Sequence, residues 1–386
     1  MRWGRCFGVL SLGIVLSSSC ATIGPKTLVV DPAGAHAQTM PFVGTESHVR
    51  FHFTPLRTLA YDGFALPLVS PDGCNAAVQV SSAADWGTLL ATIDGGLPDA
   101  GQIAIAPLCD GASAPLVPVA ATDLLLGRSA DGDGFLVESP RLDGSRWIGR
   151  IGWVGGEPIW LVEGEEVNAC ASLGPAGELA WCHRQRQVEH FSLSVRRGES
   201  VHDIPAPEGG SWYAPSFSAD GEYLFALRLR DGVLAACAFL ISQTISTTPV
   251  TTVELSWRAD TRVAYQTLVP IRTGGSAIDP RLYFYHPRFG RMAAWDPRDN
   301  RIALASPGSA VALVISESRL LTTSPDGLAV EPLPTKRGAT EAKRRTLVVE
   351  SFWIPVGMGA DSQFVVVAPK HGSLEFARLK IASSSE

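Results

Sequence analysis

The sequence predicts an all-β fold of the β-propeller class, and three observations predict it. A short Ser-x-Asp-Gly turn recurs along the chain at intervals of about 40 residues. The segments beside those turns are rich in β-branched and aromatic residues, as strands are. Helical periodicity is almost missing, showing only weakly over residues 339–345. The 386 residues include 38 glycines and 27 prolines without a Gly-X-Y period, so the chain is built for frequent tight turns. With 46% apolar and 18% charged residues it can bury a large core.

The clearest copies of the turn are Ser70-Pro71-Asp72-Gly73, Ser129-Ala130-Asp131-Gly132, Gly174-Pro175-Ala176-Gly177, Ser218-Ala219-Asp220-Gly221 and Ser324-Pro325-Asp326-Gly327. Looser copies are Arg258-Ala259-Asp260-Thr261, Asp296-Pro297-Arg298-Asp299-Asn300 and Gly359-Ala360-Asp361-Ser362. Ser or Asp caps such a turn, Pro presets φ, Asp suits the next position, and Gly or Asn accepts the left-handed conformation. The last positions are spaced by 59, 45, 44, 40, 39, 27 and 35 residues, a mean of about 41. A four-stranded propeller blade takes about 40–45 residues, whereas helical solenoids need amphipathic helices that this chain lacks. Seven blades fit best, with six or eight as the alternatives. The spacing of 59 points to an inserted loop around residues 94–101, and that of 27 to a turn inside a blade.

The strands Leu224-Phe225-Ala226-Leu227, Val263-Ala264-Tyr265, Ile302-Ala303-Leu304 and Phe364-Val365-Val366-Val367 follow the turns and read as inner strands covered on both faces. Residues 373–381 alternate and read as an outer strand with one wet face. Ring closure needs a strand borrowed from the other terminus, and residues 27–30 or 49–53 could supply it.

On these residues, over about 60–370, the chain resembles the TolB-type β-propeller repeats, whose mark is an apolar strand, Ser-Pro-Asp-Gly and a second apolar strand. The resemblance implies architecture and not chemistry. Within these residues neither the α/β domain of TolB nor the hydrolase domain of propeller peptidases is expected, so neither Tol partners nor peptidase activity is carried over.

Residues 1–19 read as a signal peptide: Arg2 and Arg5, an apolar stretch over 7–16, then Ser17-Ser18-Ser19 before Cys20. The end resembles a bacterial lipoprotein signal, with Cys20 as the lipidated N-terminus, although Ser17 stands where such signals usually carry Leu. Ordinary cleavage after Ala21 is the alternative. No later stretch reaches 18 apolar residues. The expected organisation is a signal at 1–19, a tether over 20–48 and one propeller over 49–386, exported to the periplasm. The formal charge of −6 becomes −8 once Arg2 and Arg5 leave with the signal, which removes the electrostatic term on which nucleic-acid binding depends.

Export permits disulfides. Cys170 and Cys182 flank the turn at 174–177, so a hairpin could bring them opposite each other, and they are the candidate disulfide. Cys74–Cys109 is possible without local support, and Cys237 reads as a small buried hydrophobe. Zinc at Cys182, His183 and His190 is not expected, because metal-ligand spacing is lacking and Cys182 and His183 would point to opposite faces of a strand.

No nucleophile elbow, zincin pair, phosphate-binding loop or dinucleotide fingerprint occurs. Asp131-Gly132-Asp133-Gly134 starts like a calcium loop but continues with Phe135 and reads as a turn. Trp147, Trp153, Trp160 and Trp181 should pack mainly between sheets, with one or two free to line a ligand face. Lys336, Arg337, Lys343, Arg344 and Arg345 form a candidate patch for an acidic partner or anionic head groups on an otherwise acidic chain. The expected function is a monomeric, non-catalytic scaffold without cofactor or metal that binds a protein or envelope ligand, held at the membrane by lipid alone. A propeller enzyme with a central-channel site, such as a lactonase, lyase or glycan-active hydrolase, is the first alternative, and a structural envelope protein without a specific ligand is the second.

Overall fold

The structure, a computed structural model, describes residues 38–39, 50–60, 67–79, 103–109, 117–119, 124–128, 132–241, 245–256, 280–286, 291–305, 311–316, 319–324, 327–332, 346–349, 353–358, 363–370 and 373–382. Among the described residues every regular element is a β-strand. Cys20, the loop around 94–101 and the basic residues Lys336, Arg337, Lys343, Arg344 and Arg345 lie outside the described residues.

The chain opens with β1 (Gln38–Thr39) and β2 (Arg50–Ala60). A four-stranded antiparallel meander follows: β3 (Leu68–Val69), β4 (Asn75–Gln79), β5 (Ile103–Pro107) and β6 (Val117–Pro118). The next two meanders are β7 (Leu124–Arg128), β8 (Gly134–Pro140), β9 (Arg146–Gly152) and β10 (Ile159–Val162), then β11 (Val167–Leu173), β12 (Leu179–Arg184), β13 (Ser192–Arg197) and β14 (Ser200–Ile204). They merge into one eight-stranded sheet through a parallel contact of Val167 with Arg146. A fourth meander is β15 (Gly210–Phe217), β16 (Tyr223–Arg230), β17 (Val233–Leu240) and β18 (Thr251–Ser256). Three described strands form the fifth: β19 (Leu282–His286), β20 (Arg291–Asp296) and β21 (Arg301–Leu304). The sixth is β22 (Val311–Ser316), β23 (Arg319–Ser324), β24 (Gly327–Pro332) and β25 (Thr346–Val349). The last is β26 (Ile354–Met358), β27 (Gln363–Lys370) and β28 (Ser373–Ala382), completed by β2, which runs antiparallel to β28 from Arg50–Ala382 to Ala60–Ser373. The borrowed closing strand is therefore the segment that starts at 49–53, and β1 extends it from within the stretch read as tether.

Apolar clusters fill the spaces between successive sheets, and the series comes back to its start. Ile105, Phe135 and Trp153 join the first two meanders, and Leu136, Ile148 and Trp181 the second and third. A large cluster around Leu193, Phe225, Phe239 and Trp295 runs through the third, fourth and fifth. Tyr283, Met292 and Leu320 bind the fifth to the sixth, and Leu321, Phe364 and Leu379 bind the sixth to the last. Val69, Ala106, Val367 and Phe376 then seal the last sheet against the first. Four-stranded meanders whose faces pack in a closed circuit make a ring of radial sheets. The fold is a β-propeller.

The repeated turn works as its chemistry requires. Ser70 Oγ donates to Asp72 Oδ1 at 2.5 Å, the Cys74 amide donates to the same oxygen at 2.9 Å, and Ser218, Asp220 and Glu222 repeat the pattern. Gly73 and Gly221 hold φ of 73° and 72°, and Asn300 takes the same role at 53°. Turns of neighbouring sheets also nest: a Cβ on Gly221 would come within 3.0 Å of Pro175 Cγ, and one on Gly132 within 2.7 Å of Pro71 Cγ. The turn ending at Gly327 joins the second and third strands of its sheet, the turn inside a blade that the short spacing before it predicts. Two strand assignments change. Residues 302–304 lie in β21, an edge strand among those described and only partly buried, because the turn before it joins β20 to β21. Residues 373–381 form no outermost strand, since β2 covers the edge of β28.

Candidate functional site

The second and third meanders bring three loops together: 141–145 between β8 and β9, 163–166 between β10 and β11, and 185–191 between β12 and β13. Each is short and polar because strand pairing ends there and the chain must turn. In the first, the Arg141 amide donates to the Ser145 carbonyl at 2.9 Å, the Gly144 amide to the Arg141 carbonyl at 2.9 Å, and Asp143 Oδ1 accepts from the Ser145 amide and hydroxyl at 2.9 and 2.7 Å. These bonds, the hydroxyl's first, hold the Asp143 carboxyl below the ordinary carboxylate range, and Arg186 adds to the effect.

Arg186 ties the three loops. Its Nη1 donates to the Asp143 carbonyl at 2.5 Å, its Nη2 to Asp143 Oδ2 at 2.9 Å, and its Nε to the Glu165 carbonyl at 2.9 Å. A planar guanidinium can reach three acceptors on two loops at once, which an ammonium could not do with the same geometry. The Trp147 indole N–H donates to the Gly164 carbonyl at 3.0 Å, and the Arg146 amide to the Glu166 carbonyl at 3.0 Å. Beneath the loops, Arg146 and Glu138 form a buried ion pair, and Asn168 Nδ2 donates to the Arg146 carbonyl at 2.9 Å. His183 Nδ1 lies 3.0 Å from Glu166 Oε2, and its Nε2 lies 3.7 Å from Asp203 Oδ1.

On this fixed frame the tip residue Leu142 is fully exposed, with a relative accessibility of 101%. Val188 on the third loop is 44% exposed, and Glu163 and Glu165 on the second loop and Glu189 on the third are exposed too. The three tied loops thus carry two exposed apolar side chains, Leu142 and Val188, and three exposed carboxylates.

The four clustered tryptophans divide evenly between buried and half-buried positions. Trp153 and Trp181 are buried between sheets, and the Trp153 N–H donates to the Gly132 carbonyl at 2.8 Å. Trp147 and Trp160 are half-buried at the loops, edge to face at 5.5 Å, and both lie against the Arg141 guanidinium.

The candidate disulfide is corrected. Cys74 and Cys109 are the bonded pair, with Cα atoms 4.9 Å apart, because β4 and β5 pair from Asn75–Pro107 and the Leu108 amide donates to the Cys74 carbonyl at 2.7 Å. Cys170 and Cys182 remain thiols and share a hydrogen bond. The register slips between Ala169 and Ser172, which puts Cys170 in a bulge at φ 56° with its amide donating to Glu138 Oε2 at 3.3 Å. Sequence spacing identifies the hairpin but carries no sign of that bulge. Burial, then the Cys170 hydrogen bond, pushes the Cys182 thiol well up, and burial raises the Cys237 thiol. Arg186, which ties the loops, and Leu142 went unmarked in the sequence, for neither belongs to a motif.

No family model matches the chain, and no curated protein matches it. Among solved structures it is similar to one assigned to TolB from Agrobacterium tumefaciens, at 15% identity over 70% of this chain and 90% of that one, with a TM-score of 0.41. A chain of a mitotic checkpoint complex is similar at 13% identity, covering 84% and 94%, with a TM-score of 0.49. Oligopeptidase B from Trypanosoma brucei is similar at 10% identity and a TM-score of 0.42, but this chain spans only 39% of its length. These likenesses extend to the fold alone.

Proposed function

We propose that the protein is an exported, seven-bladed propeller lipoprotein that binds a protein or cell-envelope ligand without catalysis, through the loops at 141–145, 163–166 and 185–191. The observation that carries this reading is the combination of rigidity and exposure at Leu142: a wholly exposed leucine on a loop fixed by its own turn and by Arg186. An anchor residue held ready in its bound conformation loses little entropy on association. The signal-like segment and Cys20 support a periplasmic, lipid-tethered address. Mass spectrometry of the mature chain tests that part: it should find a diacylglyceryl group on Cys20 and no residues 1–19, and an unmodified N-terminus at Thr22 would refute it.

The binding reading is tested by placing a photo-crosslinking amino acid at position 142 in living cells, with position 201 as a control that is also exposed, at 52%. A discrete adduct from 142, absent from 201 and weakened by Arg186→Ala, is expected. Equal labelling from both positions would refute the reading. So would turnover of a lactone, glycoside or ester substrate that one carboxylate substitution abolishes.

A further inference from the structure

Trp147 and Trp160 meet nearly at right angles, 77° between their planes, and form a corner. The Arg141 guanidinium sits in it, with Cζ 4.1 Å from one ring centroid and 4.3 Å from the other. Both distances are within cation–π range. The corner is built and not accidental. Trp160 lies over Gly149, where any Cβ would come within 2.9 Å of its Cε3 and Cζ3, so only glycine leaves the ring its seat. Trp147 is locked from the other side by its N–H bond to the Gly164 carbonyl.

The guest is held by ring faces and little else. Arg141 Nε and Nη2 are shielded from solvent and have no hydrogen-bond partner among the described residues. Leaving such donors unsatisfied is costly. A guest with fewer N–H groups, or one that brings an acceptor of its own, avoids that cost. The loop that fastens Trp147 also carries Glu163 and Glu165, both exposed, and no ion pair engages either among the described residues. Aromatic faces select a cation, and exposed carboxylates on the loop that fastens Trp147 favour the same charge.

We propose that the Trp147–Trp160 corner is a receptor for a guanidinium or alkylammonium group, presented by a basic protein partner, with Arg141 as the intramolecular guest that fills it in the free protein. This rests on the binding role proposed above and names the partner's chemistry: basic and arginine-rich, matched to the exposed carboxylates Glu163, Glu165 and Glu189 of the neighbouring loops. Binding exchanges one cation for another, and Arg141 then turns outward to solvent.

The test uses the full mature chain and defined probes, so it stands apart from the cross-linking result. Choline and N-acetyl-arginine amide are titrated against wild type, Arg141→Gln and the double variant Arg141→Gln/Trp160→Leu, following indole fluorescence and the indole N–H signals. Arg141→Gln should bind both cations at least tenfold more tightly than wild type, and the double variant should lose that gain. The neutral choline isostere 3,3-dimethylbutan-1-ol should bind at least tenfold more weakly than choline. Equal binding of the neutral isostere, or no binding by a folded Arg141→Gln variant, would overturn the proposal. Should Arg141→Gln fail to fold, wild type at high probe concentration decides: shifts confined to the Trp147 and Trp160 signals support the corner, and shifts elsewhere or none overturn it.

Discussion

Breaking the Cys74–Cys109 disulfide is the perturbation whose size follows most directly from the structure. The bond closes a loop across a sequence separation of 35 residues. In the chain-entropy description, a loop of about 35 residues costs the denatured chain about 12.7 cal/mol/K, or about 3.8 kcal/mol at 25 °C. Measured values for native disulfides run at about 2–5 kcal/mol, so Cys74→Ser/Cys109→Ser should lose about 3–4 kcal/mol. The location strengthens the expectation. Cys109 Sγ accepts from Arg378 Nη2 at 3.1 Å, and Arg57 Nη1 donates to the Pro107 carbonyl at 3.0 Å, so the bonded segment also supports the seam where β2 and β28 close the ring. Urea unfolding of wild type with and without reductant, and of the double variant, measures the loss. Reductant should lower the wild-type midpoint to that of the variant and leave the variant unchanged. Hydrogen exchange should show the largest loss of protection in β2, β4, β5 and β28. Identical midpoints for oxidised and reduced wild type, with the bond verified by mass, would refute the reasoning.

Three further outcomes are expected. Gly221→Ala should destabilise by about 1–2 kcal/mol in thermal or urea unfolding, since it forces an L residue to φ 72° and presses a Cβ on Pro175. Glu138→Gln should cost about 3–5 kcal/mol by stranding the buried Arg146 charge, whereas Glu138→Leu/Arg146→Met should recover most of that loss in the same assay. Burial raises the thiols of Cys182 and Cys237, so the unfolded chain releases their protons first as pH climbs. Stability should therefore fall above the ordinary thiol value of about 8.5, by up to about 1.4 kcal/mol per pH unit for each thiol, and Cys182→Ala/Cys237→Ala should flatten that slope.

The fold was legible because its determinants are local. Ser70, Asp72 and Gly73 specify their turn with bonds spanning no more than five residues, and Ser218, Asp220 and Gly221 do so again. A repeated local device sets a period, and the period sets the architecture. Strand order within a sheet is less local. Whether residues 302–304 are central or at an edge depends on which strands come before them, and nothing in Ile302-Ala303-Leu304 records that.

The site was legible only in outline, because its parts are joined across long separations by groups with no motif. Arg186 reaches back 43 residues to Asp143 and 21 to Glu165, and Trp160 owes its seat to the missing side chain of Gly149. Composition marks the tryptophans as abundant but cannot say which ones meet. A propeller makes this the rule: its blades are written one after another, while its binding surfaces are assembled between blades from loops that share no sequence signal. In such a fold the repeats carry stability, and residues that depart from the repeat carry specificity. Leu142, Arg186 and the Trp147–Trp160 corner depart from the repeat, and the proposed binding role rests on them. They sit on the sheet where two meanders merge through Val167 and Arg146, and the buried Arg146–Glu138 pair beneath them fixes the surface on which they stand.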